Sequence, residues 1–354
     1  MAIPTEPIGS IPRPQALLEG AEAYNAGRIS KKELGSLYEQ ALRDTIERFE
    51  ATGSPVVTDG EQTKPSFATY PIHGLERLAP DGVIIPFADG HVRQLPRLTA
   101  GPFQYQTYAD EYLEKAKEYT HLPVKQAVIA PSALSLLYPA DGIEGYSREA
   151  FLEDLLDEAE ADIRRCLDNG AYKVQLDFTE GRLSVKLDPT KQVLSDFIGL
   201  NNRVLERFSA GERERIGVHT CPGGDQDSTH SLDVDYAELL PSLFNLRAGN
   251  FYIQLASEPD RRRILRIIKD HARDDQRIFV GVVDPIDPRV ETPEQVRDRT
   301  LEAAEYIAPE RLGTCDDCGF APFGDDTSTS RDTAFDKIRA RVMGTALAAE
   351  ALGL

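Results

Sequence analysis

The chain has 354 residues, and its content of 41% hydrophobic and 28% charged residues is typical of a globular protein and argues against a disordered one. The 59 Asp and Glu residues outnumber the 40 Lys and Arg residues, and the net charge of −19 argues against a basic face for nucleic acid or for an anionic membrane. The N-terminus lacks the basic and apolar regions of a signal peptide, and no stretch approaches the ~18 apolar residues of a transmembrane helix. We therefore expect a cytoplasmic protein with no nucleic-acid partner and no membrane partner.

Short, β-rich apolar runs alternate along the chain with longer segments of helical period. The predicted strands are residues 7–11, 54–59, 124–130, 172–177, 216–220, 250–256, 277–283 and 312–315, and the helical segments include 31–52, 148–169, 190–208, 259–274 and 293–307. Such alternation predicts parallel βαβ units. Eight strands favour an α/β fold, a (β/α)8 TIM barrel, with a doubly wound open sheet as the second choice.

Residues 67–108 contain several prolines and glycines and do not fit this alternation. We predict that this segment is an excursion from the barrel, in the form of a small hairpin layer or lid. With that exception, residues 1–354 are predicted to form a single catalytic barrel, although length alone would also suit two domains. A final helix is expected to begin at Ser330 or Asp332, since either residue is a suitable N-cap.

Polar residues lie at or just beyond the carboxyl ends of the predicted strands. They are Asp59, Glu61, Asp177, His219, Cys221, Asp284, Cys315 and Cys318. In a barrel, the carboxyl ends of the strands converge on the face where active sites are built, whereas an open sheet would spread the same residues along one edge. The convergence therefore favours an enzyme.

The most specific local motif is His219-Thr-Cys221, because residues i and i+2 of an extended chain point to the same side. Imidazole and thiolate are typical zinc ligands, and Cys318 follows the last strand, across the lumen of a closed barrel. Four cysteines are too few for a disulfide scaffold in a chain of this length. An isolated pair of this kind would be weak evidence, since buried free cysteines are common, and Cys166 is interpreted as an ordinary semi-buried thiol.

The fourth ligand is left open by the sequence. Cys315, spaced as Cys-x-x-Cys with Cys318, would complete a closed, structural site of one histidine and three cysteines. Gln254 and Glu258, which share strand parity near the end of another strand, are the alternatives. A catalytic site needs one replaceable position.

Taken together, these residues resemble the catalytic half of the cobalamin-independent methionine synthases. The matching segments are Ile-Gly-Ser-Ile-Pro-Arg-Pro at 8–14, Asp-Gly-Glu-Gln at 59–62, Val-Gln-Leu-Asp at 174–177 with Glu-Gly at 180–181, His-Thr-Cys at 219–221 and Asp-Cys-Gly at 317–319. They occur in family order over nearly the whole chain. The full-length enzymes resemble two fused barrels, so this chain is similar to a single-barrel, core-type member.

The resemblance implies a zinc cofactor, Zn2+, held by His219, Cys221 and Cys318. Glu258 is the nearest carboxylate to the glutamate ligand of the family, because Gln254 stands at the closest match. The resemblance also implies how the thiol substrate, homocysteine, is held. The backbone around Ile8 and the side chain of Ser10 would contact the amino acid, and Glu61 and Asp177 would bind its ammonium group, as carboxylates suit a cationic amine.

The sequence also departs from the family. The catalytic histidine expected just after Asp284 is replaced by Pro-Ile-Asp-Pro at 285–288, and the chain has no Trp on which a pterin could stack. His230 is the candidate substitute for that histidine, although a solvated loop histidine is the simpler interpretation. Asp284 is assigned either to a proton relay or to the capping of the next helix.

The expected activity is transfer of a methyl group to the thiol of homocysteine to give methionine. The expected methyl donor is 5-methyltetrahydrofolate or a methylcorrinoid. The methylcorrinoid could be free or carried on a protein. Two alternatives are kept. One is zinc-dependent transfer of another alkyl group, such as an epoxide, to a different thiol, and the other is a non-catalytic structural zinc protein.

Overall fold

The computed structural model describes residues 2–354 and contains one parallel sheet. Its six strands are Gln126–Ile129, Val174–Asp177, Ile216–Thr220, Asn250–Ile253, Arg277–Val283 and Leu312–Asp316, hydrogen-bonded in this order. Every neighbouring pair is parallel. Helices separate the strands along the chain, as predicted from the alternation of elements.

Where the first two strands were predicted, at residues 7–11 and 54–59, the structure has isolated bridges rather than ladders, and the first bridge lies at Thr5, before the predicted range. Thr5 pairs in parallel with Thr314 at one edge of the sheet, and Val57 pairs in parallel with Val124 at the other edge. A backbone hydrogen bond of 3.0 Å from Ile11 to Gly60 joins these two segments and completes the ring. The fold is therefore the predicted (β/α)8 barrel and not an open sheet. The N-terminal segment cannot form a full ladder because its prolines lack the N–H donor, namely Pro4, Pro7 and Pro12.

The α-helices surround this ring. They are Gln15–Asn25, Lys31–Ala51, Asp110–Lys117, Pro131–Leu134, Arg148–Asp168, Glu180–Leu187, Gln192–Leu205, Ala210–Arg213, Leu240–Leu243, Arg261–His271, Pro293–Ala304 and Arg331–Ala351, with 3-10 turns at Tyr70–Ile72, Ser135–Leu137 and Tyr236–Glu238. Several begin at a side chain that accepts a hydrogen bond from a free backbone N–H of the first turn. Ser30 and Thr292 form capping boxes, and Ser330 caps the last helix, which confirms one of the two predicted starts.

Residues 67–108 contain two short antiparallel pairs, Leu78–Ala79 with Arg97–Leu98 and Ile84–Pro86 with Val92–Gln94. The segment is fastened to the loops beyond the barrel strands. Arg93 contacts Asp225 at 2.5 Å and also Asp325 at 2.8 Å. The second hairpin is thereby held over the carboxyl-end face of the barrel.

The lower part of the barrel interior contains charged groups that satisfy one another. Lys173 donates to Glu6 at 2.7 Å, and the Tyr252 hydroxyl donates to the second oxygen of the same carboxylate at 2.6 Å. Lys125 lies 3.9 Å from Glu6 and over the Tyr252 ring. These buried groups fill the lumen below the site, so the site opens at one end of the barrel. Over residues 2–354, no helix is both long and apolar enough to cross a membrane.

Candidate metal and thiol site

A cavity of about 1120 Å³ opens at the carboxyl ends of the barrel strands. Its wall includes His219, Cys221, Cys318, Glu61 and Asp177, which the sequence predicted to converge there. Ile85 and Phe87 from the hairpin segment form another part of the wall. The cavity therefore combines sulfur and imidazole groups with carboxylates under a partial apolar cover.

Three potential metal ligands cluster within this wall. His219 belongs to strand Ile216–Thr220, Cys221 follows it directly, and Cys318 comes from the loop after strand Leu312–Asp316. One ligand atom from each residue lies within 4.8 Å of the others, and the two sulfur atoms are 2.9 Å apart. Both ring nitrogens of His219 are buried and have no hydrogen-bond partner.

This donor set fits a metal ion. A buried imidazole with two unpartnered nitrogens is costly, and coordination of one nitrogen would satisfy it. The hydrogen bond with Cys221, and then burial, raise the pKa of the Cys318 thiol well above its usual range. The Cys318 sulfur is therefore protonated unless a cation stabilises its thiolate form. One histidine and two cysteines are the ligand types that zinc prefers.

None of the three residues considered for the fourth ligand lies in this cluster. Glu258, the predicted ligand, is instead paired with Arg182 at 2.9 Å, and Gln254 accepts from the same guanidinium at 3.1 Å. Cys315 lies lower in the barrel, where its sulfur is 3.6 Å from the carbonyl oxygen of Phe279. The prediction of Glu258 is thus not met in this arrangement, because a buried cation holds its carboxylate.

The strand predicted at residues 250–256 is shorter than predicted, and Gln254 lies just beyond its end, for a physical reason. It ends at Ile253, and the next backbone N–H groups turn towards the Asp317 carboxylate instead of a neighbouring strand. Leu255, Ala256 and Ser257 each donate to Asp317 at 2.8 Å. Asp317, directly before Cys318, therefore connects the loops that follow two strands. Its role was not predicted, although it belongs to the Asp-Cys-Gly motif.

The predicted contacts to the amino-acid substrate, Ile8 and Ser10, line the cavity. The backbone N–H of Ile8 is already used, since it donates to Asp316 at 3.3 Å. The Ser10 hydroxyl accepts from the Ala321 N–H at 3.2 Å, which leaves its proton free to donate. A Cβ at Gly319 would lie 2.1 Å from the Ser10 hydroxyl oxygen, so only glycine fits there without displacing that hydroxyl.

Glu61 and Asp177 are both buried in the cavity wall. Burial raises the pKa of Glu61 to about 7, while the Lys64 ammonium, 3.3 Å away, acts in the opposite direction. Burial likewise raises the pKa of Asp177, which accepts from Gln175 at 2.7 Å. The structure thus places the two carboxylates in the same cavity wall as the cluster.

Lys64 was not predicted, although its place three residues after Glu61 is a usable signal. Its ammonium donates to the Ala127 carbonyl at 2.9 Å and lies 4.7 Å from the centre of the Tyr70 ring. Burial is the largest single effect and lowers the pKa of Lys64, but Glu61 acts together with Asp59, Tyr112 and Asp177, and the net result is a raised pKa. Lys64 therefore remains charged and partly neutralises the carboxylates around it.

The two residues assigned to proton transfer differ in their placement. His230 lines the cavity and is 6% exposed, so the interpretation as a solvated loop histidine is wrong. Burial, and then the nearby Lys186 and Arg182, lower the pKa of His230 to about 4, so its ring is neutral at physiological pH. Asp284 is only half-buried and accepts from the Ile286 N–H at 3.0 Å, a turn-stabilising contact outside the cavity wall.

Glu180 is a further carboxyl group of the cavity wall, and the sequence presented it only as part of the Glu-Gly motif. One of its oxygens accepts from the Ser132 hydroxyl, and the other is buried without a partner. Burial raises the pKa of Glu180 to about 8. It therefore carries a proton inside the cavity at neutral pH.

The chain is similar to known proteins over nearly its whole length. Positions 3–339 match the family described as cobalamin-independent synthase, catalytic domain. The chain belongs to this family. Membership confirms the resemblance drawn from the motifs and the prediction of a methyltransferase enzyme.

Relatives of this cobalamin-independent synthase domain match it over nearly its full length. The protein of Sulfurisphaera tokodaii called methionine synthase is 24% identical over 351 residues, which cover 99% of this chain and 94% of that protein. A solved B12-independent methionine synthase from Shewanella sp. W3-18-1, in complex with selenomethionine, has a TM-score of 0.75 at 20% identity and covers all of both chains. A putative vitamin-B12 independent methionine synthase from Listeria monocytogenes has a TM-score of 0.71 at 23% identity, covering 98% of each chain. These similarities agree with the observed barrel.

Proposed function

We propose that this cobalamin-independent synthase domain transfers a methyl group to the sulfur of homocysteine and forms methionine. Its proposed cofactor is Zn2+, and residues 1–354 are proposed to form one catalytic barrel. The observation that carries the proposal is the opening of the His219, Cys221 and Cys318 cluster into the same cavity as Glu61 and Asp177. A thiol amino acid needs both parts, since its sulfur requires a metal-type site and its ammonium requires carboxylates. The methionine synthase names of the relatives support this substrate, and the selenomethionine in the Shewanella structure resembles the product.

The side chains of this chain position the substrate. Asp177 and Glu61 accept hydrogen bonds from its ammonium group, and the free Ser10 proton is available to its carboxylate. His219, Cys221 and Cys318 would hold a zinc ion, which would supply the chemistry that favours the thiolate form of the substrate, with the thiol proton released to solvent. A sulfur lone pair then forms the S–CH3 bond, while the bond between the methyl group and its donor breaks and leaves its electron pair on the donor. Fixing both reactants supplies much of the acceleration.

The hairpin segment and the cavity wall control water and protons in this scheme. Ile85 and Phe87 cover part of the cavity with apolar surface, which restricts the access of water to the thiolate. His230 is neutral at physiological pH and acts as a hydrogen-bonding group rather than as a cation. The methyl donor, 5-methyltetrahydrofolate or a methylcorrinoid, free or protein-bound, is the part of the proposal that requires a direct assay.

A second candidate is transfer of another alkyl group, such as an epoxide, to a different thiol. The observation that favours it is Lys64, whose ammonium already pairs with Glu61 on the side where a substrate amine would bind. A thiol without an amino group would then suit the site. A purely structural zinc protein is less well supported, because the ligand cluster faces an open cavity. The cytoplasmic location and the lack of nucleic-acid and membrane partners stay predictions.

The proposal is tested by incubating zinc-loaded protein with homocysteine and each methyl donor in turn, and by measuring methionine by mass spectrometry. We expect methionine with at least one donor and none with the Cys318→Ser variant. Replacing homocysteine with a thiol that lacks the amino group separates the two candidates. No methionine with any donor, together with alkylation of the simpler thiol, would refute the first candidate in favour of the second.

A further inference from the structure

A buried arginine holds two potential metal ligands of the barrel away from the metal cluster. Arg182 belongs to helix Glu180–Leu187, and its side chain is 2% exposed. One terminal nitrogen of its guanidinium donates to Glu258 at 2.9 Å and to Gln254 at 3.1 Å. Both side chains are themselves buried. One oxygen of each side chain is thus engaged by the guanidinium before any metal binds.

The guanidinium of Arg182 is fixed from other directions as well. Its second terminal nitrogen donates to the carbonyl oxygens of Leu232 at 3.1 Å and of Val234 at 2.5 Å, and its Nε also donates to Val234 at 2.9 Å. Its flat face lies 4.8 Å from the centre of the Tyr236 ring. A planar group held by several acceptors and an aromatic face has little freedom to release its partners. The contact with Glu258 is therefore unlike a mobile surface ion pair.

The metal cluster itself is oriented towards the cavity. His219, Cys221 and Cys318 line the cavity wall, whereas Arg182, Gln254 and Glu258 lie outside it. Among the described residues, no further histidine, cysteine or carboxylate joins these three as a ligand of the cluster. The side of the cluster that lacks a protein ligand is therefore the side that a cavity-bound molecule reaches.

We propose that the metal in this chain is held by three protein ligands, and that Arg182 keeps Glu258 from becoming the fourth. The vacant direction then belongs to the sulfur of the substrate, which enters from the cavity. Two thiolates and a neutral imidazole balance the charge of a divalent cation, so a substrate thiolate adds the only excess negative charge. The inference rests on the proposed function for the identity of the incoming thiol but not for the ligand count.

The test uses the full-length protein loaded with Co2+ in place of zinc, without thiol or methyl donor. We compare the absorption spectrum and the Co2+ affinity of wild type, Glu258→Gln and Cys318→Ser. Glu258→Gln keeps the oxygen that accepts from Arg182, and we expect its spectrum and affinity to match those of wild type. Cys318→Ser should lose thiolate-to-cobalt absorption and bind Co2+ at least about tenfold more weakly. A changed spectrum or a tenfold loss of affinity in Glu258→Gln would overturn the proposal.

The role of Arg182 is tested by Arg182→Met, alone and combined with Glu258→Gln. Loss of the guanidinium should free the carboxylate, change the ligand-field bands of Co2+ and tighten its binding, and Glu258→Gln should reverse both effects. An Arg182→Met spectrum identical to that of wild type would show that Arg182 does not keep Glu258 out. If Arg182→Met does not fold, as judged by circular dichroism, Glu258→Gln alone decides the ligand count. Because these spectra need no substrate, a protein that passes them yet forms no methionine would refute only the proposed function.

Discussion

The Lys64–Glu61 pair offers the sharpest test of how the site is held together. Its two side chains are 0% and 3% exposed, and nitrogen and oxygen are 3.3 Å apart. Removing one member of a buried pair leaves the other member without its partner, which typically costs about 3–5 kcal/mol, whereas replacing both members with uncharged groups of similar volume is often nearly neutral. We therefore expect Lys64→Met to lower the free energy of unfolding by about 3 kcal/mol or more.

The double variant Lys64→Met with Glu61→Gln should recover a large part of that loss. Wild type, the two single variants and the double variant form a double-mutant cycle, and urea unfolding followed by circular dichroism measures the stability of each. The coupling energy of the pair should exceed about 1 kcal/mol. A matched control is Arg43→Met with Glu39→Gln, since that pair is more than half exposed at 4.0 Å and should show coupling of at most about 0.5 kcal/mol. Equal coupling energies for the buried and exposed pairs would refute the reasoning.

The same variant has a functional consequence. Because the Lys64 ammonium lowers the pKa of Glu61, its removal should raise that pKa above about 7 and leave Glu61 protonated at neutral pH. A protonated carboxyl binds an ammonium group weakly, so the homocysteine KM of Lys64→Met should rise several-fold at pH 7 and recover towards higher pH. An unchanged KM over this range would show that Glu61 does not bind the substrate amine.

Three further predictions concern single groups of the cavity. Gly319→Ala should displace the Ser10 hydroxyl, because the new Cβ would lie 2.1 Å from its oxygen. The homocysteine KM should then rise with little loss of thermal stability. An unchanged KM would contradict the assigned role of Ser10. The folded state keeps a proton on Glu180 that the unfolded chain releases, so the free energy of unfolding falls as pH rises from about 4.5 to about 8. Glu180→Gln should remove this fall, which amounts to at most roughly 5 kcal/mol in urea unfolding. A plot of unfolding free energy against pH that runs parallel to that of wild type would refute this prediction. Cys318→Ser should lower the zinc content measured by mass spectrometry to well below one ion per chain, whereas Cys166→Ser should retain full zinc.

The barrel was predictable because its signals are local. Alternating β-rich runs and helical segments define the strand order, and capping residues such as Ser30 and Thr292 define helix starts. The His219-x-Cys221 spacing was also sufficient to predict two ligands on one side of a strand. The extent of the first two strands was less predictable, because each is reduced to a single bridge, at Thr5 and at Val57, and a single bridge leaves little pattern in the sequence.

The remaining part of the site depends on contacts between distant segments. The pairing of Arg182 with Glu258 joins residues 76 positions apart, and no local pattern shows which carboxylate a buried arginine will hold. The same applies to Asp317, whose partners at 255–257 lie about 60 positions earlier in the chain. His230 was misjudged because its loop position suggested solvent, whereas the hairpin segment and Gly223 enclose its ring. Burial of this kind is a property of the packed structure and not of the local sequence.

The most direct test of the central claim is zinc X-ray absorption on the full-length protein, recorded with and without homocysteine. The account predicts two sulfur ligands and one imidazole in the resting protein, from Cys221, Cys318 and His219. Adding homocysteine should raise the number of zinc–sulfur ligands from two to three, since the open direction faces the cavity. An unchanged number of sulfur ligands at saturating homocysteine would contradict a site built to activate a thiol.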